Sequence, residues 1–400
     1  MAEQLRRRIG LGLMSAYGVG VMVGAGIYVL VGAVAGEAGL WAPLAFLVAG
    51  VIAAPTALSY AEFSTRYPEA AGEAAYVGNG LRASWLSVVI GLAIVSAGTV
   101  SAGAVLRGGV GYLAALWSVP EIWMIAGLGL ALMAVAVIGV AEAMWMAAIF
   151  TVVELGGLVL VIWAGMQAPM VPDMAALEWP GAFSGIGWEG VGLGAVLAFF
   201  AFIGFEDIVN MAEETKNPTR TMPRAILISL AVTTVIYAAV SYAAVRAVPV
   251  ATLEQSGQPL ALIWQAWRGG DAGFLSAIAV FAALNGVLAQ IVMAARVLFG
   301  LGRKGGALGV FHHAHPRLGT PVFATVLIGL CVIAGALSGE VAELASITSS
   351  ILLGVFVIVN LALIVEKRRA PEAAFRVWIG VPVCGMLLSM AALALTLGIV

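Results

Sequence analysis

Charge is what this 400-residue sequence has least of: Lys and Arg number 19 and Asp and Glu 21, so only 10% of residues are charged. An ordinary soluble domain carries roughly 25%. Forty charges cannot cover the surface of a soluble fold this long, so the composition excludes a soluble enzyme and a disordered scaffold. The same shortage of charge excludes a nucleic-acid-binding protein, while the formal net charge of −2 says nothing about partners. Cysteine is nearly missing. Cys331 and Cys384 both fall inside apolar runs, which leaves no disulfide framework. Histidine is scarcer than in most chains of this size: His312, His313 and His315 share one polar loop, and none stands in an apolar run where a metal or catalytic site would need it. No HExxH or GxSxG motif occurs, and no metal site or cofactor is expected.

What remains is apolar. Hydrophobic residues make up 62% of the chain and mean hydropathy is +1.07. A helix needs about 20 apolar residues to cross a bilayer. Eleven such runs can be laid out, near 9–34, 40–62, 84–106, 122–140, 144–166, 191–211, 224–247, 272–300, 321–338, 341–365 and 377–399. They are uniformly apolar rather than alternating, so barrel strands are excluded. The expected class is an all-helical integral membrane protein forming one transmembrane domain over 1–400, with the lipid bilayer as its surroundings. The basic start at Arg6–Arg8 leads into a run too long for a cleavable signal core, so it reads as a first span. With that end inside, the alternate loops hold fifteen Lys and Arg against three (Arg107, Arg246 and Arg268). Basic residues favour the cytoplasmic side. The expectation is an inner (cell) membrane protein with a cytoplasmic N-terminus and, the span number being odd, an external C-terminus.

Two runs carry glycine in their middle. The first reads GVGVMVGAGIYVLVG from Gly18 to Gly32, and the sixth reads AFFAFIGFED from Ala198 to Asp207. Each opens a set of five spans, and an odd number of crossings gives the two sets opposite orientations. Glycine-interrupted spans at matching positions of two inverted halves point to a transporter's midplane site. Helix packing is the other reading of such glycines. It is weakened by the equivalent placement in the second half.

The motifs resemble those of an amino-acid permease of the amino acid–polyamine–organocation superfamily, and most closely its cationic amino acid transporter branch. The resemblance rests on GAGIYVLVG (Gly24 to Gly32), LSYAEFSTRYPEAAGEAAYV (Leu58 to Val77), FFAFIGFEDIVNMAEETKNPTRTMPRAI (Phe199 to Ile226) and ARVLFGLGRKGG…HPRLGTP (Ala295 to Pro321). It implies a leucine-transporter-type 5+5 inverted repeat: a first repeat near 9–166, a second near 191–365 and an eleventh helix near 377–399, with spans one and six unwound in mid-membrane. It also implies secondary active transport of amino acids and no enzymatic activity. The sequence departs from the branch in three ways. Glu154 stands where a Lys is common in span five, Ala70-Ala71-Gly72-Glu73 replaces paired glycines, and many relatives continue to twelve or more spans.

On that resemblance, Val23, Gly24, Ala25, Gly26 and Ile27 of span one and Phe200, Ala201, Phe202 and Ile203 of span six form the substrate site. Unwound N–H groups would take the substrate carboxylate, and orphan carbonyls its ammonium group. Phe202 fits two roles, closing over the site or packing in the core. Glu206 and Asp207 lie a turn inward; they suit either a cationic side chain or an ion pair with Arg296 at a cytoplasmic gate. Glu154 lies roughly 14 Å into span five at 1.5 Å per residue. An intramembrane carboxylate marks a functional site, and here the expected role is to carry a coupling proton. Uncoupled amino acid or polyamine exchange is the alternative. Sodium coupling is disfavoured because the stretch from Ala277 to Phe299 has no Ser or Thr.

Overall fold

A computed structural model describes residues 9–68, 72–114, 117–138, 143–175, 187–270, 272–302, 306–313, 315 and 320–398. The described residues are helical, linked by short turns, with a lone bridge between Ile9 and Thr215. The helices are α1 (Leu11–Ala38), α2 (Ala42–Arg66), α3 (Gly72–Leu81), α4 (Ser84–Ala114), α5 (Glu121–Ile138), α6 (Ala143–Gln167), α7 (Pro172–Ala175) and α8 (Trp188–Phe200). After these come α9 (Pro218–Ala247), α10 (Val250–Glu254), α11 (Pro259–Arg268), α12 (Gly273–Gly302), α13 (Val322–Ser338), α14 (Val341–Arg369) and α15 (Gly380–Thr396). Among the described residues, seven stretches are long and apolar enough to cross a membrane by length and composition. Shorter apolar helical stretches occur at Leu11–Val23, Trp188–Phe200, Val322–Ser338 and Gly380–Thr396. Parts of the basic pattern and of the loops named above (Arg6–Arg8, Ala70, Ala71, Arg303, Lys304, Arg317 and the loop at 176–186) lie outside the described residues.

Packing sorts the long helices into two groups. α1, α2, α8 and α9 lie against one another, while α4 is the spine of a second group with α12, α13 and α14, and α5 flanks α13. α6 leans on α1 and α9, and α15 runs along α14 and α2. Hydropathy cannot hold helices together in lipid, where the tails are as apolar as the side chains, so small residues and interhelical hydrogen bonds take over. α2 and α14 show both. Asn360 donates to Thr56 Oγ1 at 2.9 Å and accepts from Ser59 Oγ at 2.6 Å. A Cβ on Gly385 of α15 would lie 2.8 Å from Asn360 Oδ1, so glycine lets the last helix come close.

A charge cluster joins α2, α14 and the segment leading into α15. Glu62 is fully buried and bonds Arg66 Nη2 at 2.6 Å and Lys367 Nζ at 2.5 Å, and it accepts from the Val377 N–H at 2.9 Å. Lys367 also donates to Val377 O, and Arg66 to Ala370 O. Every lone pair brought out of water finds a donor, which is what makes a buried ion cluster tolerable. At the end of α6, Arg246 donates to the Gly165 and Ala168 carbonyls at 2.6 and 2.7 Å, capping groups that no further turn would satisfy.

Candidate substrate site

The site forms where α8 stops. Its last turn tightens into three-residue bonds, with the N–H groups of Ala201, Phe202 and Ile203 donating to the carbonyls of Ala198, Phe199 and Phe200. Turns follow to Glu206, then a 3-10 segment over Asp207–Glu214. Gly204 has φ of +124°, a conformation that L side chains rarely adopt, so the chain direction here depends on glycine. Its N–H donates to Glu206 Oε2 at 2.9 Å.

The first span behaves differently. α1 is helical without interruption from Leu11 to Ala38, so the break expected at Gly24–Gly26 is absent from this conformation. The glycines of α1 permit close approach instead. A Cβ on Gly26 would lie 2.9 Å from the Ala201 Cα, one on Gly20 would overlap the Thr151 hydroxyl, and one on Gly18 would meet Ser229 and Ile208. Glycine therefore lets α1 lie close to the broken end of α8 at Gly26, to α6 at Gly20 and to α9 at Gly18. Tyr237 of α9 pins that junction: its buried hydroxyl lies 2.5 Å from Met22 O and 2.9 Å from Ala201 O, a bifurcated donor across the two segments.

A cavity of about 70 Å³ opens beside the junction. Gly20, Val21, Met22 and Gly26 of α1 and Phe200 and Ile203 of the α8 break form one wall. Polar lining comes from Ser101 of α4, Thr151 of α6 and Asn285 and Gln290 of α12. Val23, Ile27, Ala201 and Phe202 are buried at the same junction without lining the cavity. Phe202 packs edge-on against Tyr237, ring centroids 5.3 Å apart. The side-chain surroundings of Gly24 and Ala25 lie outside what is described.

A second, smaller cavity of about 10 Å³, roughly the room for one water, shares Ile203 and Gln290 with the first and is lined by Glu206 and Asp207. Gln290 Nε2 donates to Asp207 Oδ2 at 3.3 Å. Arg296 is exposed and forms no ion pair among the described residues, so the pairing with Glu206 or Asp207 is not made here. Glu73, on α3 in the loop between α2 and α4, is also fully buried. Burial pushes its carboxyl up to about 8, and Asp207 nearby adds to the rise.

Glu154 sits on α6 three residues beyond Thr151. It is 1% exposed, and neither carboxylate oxygen has a hydrogen-bond partner among the described residues. Tyr28 of α1 donates to the Glu154 backbone carbonyl at 3.0 Å, and Tyr112 of α4 donates to Tyr28 O at 2.6 Å. The Glu154 backbone thus stands at a contact of α1 with α6, and its side chain does not line the cavity. Reasoning from sequence did not find Ser101, Thr151, Asn285, Gln290 or Tyr237. No motif marks them, because each faces the junction through a helix far away in the chain.

Comparison with known proteins places these features in context. A family model described as "Amino acid permease" matches residues 11–400. "Cationic amino acid transporter 3, mitochondrial" of Arabidopsis thaliana is 30% identical over 82% of this chain and 57% of its own length. "Methylthioribose transporter" of Bacillus subtilis (strain 168) is 31% identical over 84% of this chain and 76% of its own. "Cationic amino acid transporter 4" of Homo sapiens is 30% identical over 74% of this chain and 49% of its own. The chain spans little more than half the length of the plant relative and about half that of the human one.

Proposed function

The chain belongs to the amino acid permease family, whose members are transporters and not enzymes, and on that premise we propose that it is a secondary, proton-coupled carrier of amino acids. The observation that supports this most is the junction of α1 with the broken end of α8. It brings a helix terminus, the close-packed Gly26 and a cavity together between the two groups of helices. Such a junction suits the part that all amino acids share. The α-ammonium group belongs at the carbonyls from Phe200 to Ile203, where the regular helical ladder ends and partial negative charge collects. The α-carboxylate belongs at Val23 to Ile27. α1 is closed there in this conformation, and Gly24 and Gly26 are where a helix opens at least steric cost.

Glu154 is the proton carrier in this reading. An isolated carboxylate buried without a partner is expensive, so the group keeps its place by taking up a proton, and it lies where α1 and α6 meet. The two five-span sets, α1–α6 and α8–α14, are read as inverted repeats. The N-terminus is assigned to the cytoplasm on the basic-residue asymmetry, and Glu206 and Asp207 then form the inner boundary of the site. Purified protein in liposomes tests the function. With the outside made acidic and sodium absent, a labelled amino acid is expected to accumulate above its external concentration. Accumulation that needs sodium, or none under any pH gradient with counterflow intact, would contradict proton coupling.

A further inference from the structure

The geometry points to a small neutral amino acid, best one with a side-chain hydroxyl, as the substrate, with Ser101, Thr151 and Asn285 as the residues that select it. This rests on the carrier reading above and says which side chain the cavity accepts. Three observations carry it. First, among the described residues no charged side chain lines the larger cavity. A lysine or arginine side chain entering it would leave water without meeting a counter-charge, and burying an unpaired charge is heavily disfavoured. The nearest carboxylates do not supply one. Glu206 and Asp207 line the separate small cavity beyond Ile203 and Gln290, each already accepting a hydrogen bond, and Glu154 is not on the wall.

Second, the cavity lining presents hydrogen-bonding groups at three points, on three different helices. Neither Ser101 nor Asn285 makes a hydrogen bond among the described residues, so the Ser101 hydroxyl and both ends of the Asn285 amide are available to a ligand. A buried site built from hydrogen-bonding groups discriminates strongly against a ligand that leaves them unmet. Third, the cavity measures only about 70 Å³, with Gly20, Gly26, Gly286 and Ala289 leaving room among larger lining side chains such as Tyr17 and Phe200. Small residues make the room, and the bulky ones bound it at a short side chain.

The test is competition against labelled L-serine on the purified full chain, with L-serine, L-threonine, L-alanine, L-leucine, L-lysine and L-arginine as competitors. Serine and threonine are expected to compete best, alanine up to about tenfold less well, and lysine and arginine on the order of a hundredfold less well. Asn285→Ala should erase the advantage of serine over alanine, and Ser101→Ala should reduce it should the first variant fail to fold. Asn285→Asp puts a carboxylate on the wall and should improve lysine binding by at least about tenfold. Lysine or arginine binding as tightly as serine to the unaltered protein would overturn the inference while leaving the carrier reading intact. So would leucine matching serine with Asn285→Ala unchanged. Binding of none of the twenty amino acids would instead overturn the carrier reading itself.

Discussion

Gly26→Val is expected to abolish substrate binding, lowering affinity by at least about a hundredfold. A Cβ at this position would sit 2.9 Å from the Ala201 Cα, which is backbone and cannot rotate aside. Valine adds two more carbons to that overlap. Forcing extra atoms into a packed contact costs on the order of 1–3 kcal/mol, and here the relief available is to push α1 away from the α8 break. That movement would open the gap from which the cavity wall is built, since Gly26 and Phe200 both line it. Glycine content alone does not give this effect. Gly12 on the same helix and Gly156 on α6 have nothing within 4 Å of a built Cβ. Alanine at either should stabilise the helix by roughly 0.5–1 kcal/mol and leave binding unchanged. Thermal melts beside a binding isotherm separate the two classes, and a Gly26→Val protein that binds normally would contradict the role given to the junction.

Glu154→Gln should retain exchange of substrate across the membrane and lose accumulation driven by a pH gradient. Glutamine keeps the shape of the protonated acid and cannot titrate. A purely structural Glu154 would behave differently. Removing one member of a buried ion pair costs on the order of 3–5 kcal/mol because the other charge is stranded. Glu154 has no such partner among the described residues, so the variant should melt at or above the temperature of the parent. Glu62→Gln gives the contrast, for it removes the negative charge that pairs with both Arg66 and Lys367. A Glu154→Gln protein that still concentrates substrate would remove the residue from the coupling mechanism.

The helical membrane architecture was legible because twenty-residue apolar runs have almost no other stable outcome. Residue type is enough to show it. What a glycine is for was not legible. Gly204 and Gly26 lie in comparable sequence surroundings, yet Gly204 takes a positive φ where a helix has ended and Gly26 stays helical to admit Ala201. The difference lies in what packs against each residue, which the sequence does not state. The Arg296 pairing missed for a similar reason. Hydropathy placed it near the acidic residues in depth, but depth does not fix the side of the helix, and Arg296 faces outward while Gln290 reaches Asp207. The Glu62 cluster joins residues 305 apart. Only its Glu62–Arg66 pair, four residues apart, is local in the chain.

The central claim is that the α1–α8 junction holds the groups common to all amino acids, with the carboxylate met by the Gly24–Gly26 segment. Binding of a free amino acid compared with its methyl ester on the same purified protein tests it most directly. The ester keeps the ammonium group and the side chain and removes the negative charge. The account predicts loss of binding by on the order of a hundredfold, because a charge-assisted hydrogen bond to backbone N–H groups is roughly twice as strong as a neutral one and more than one donor would be left unmet. Ester and acid binding with equal affinity would contradict it.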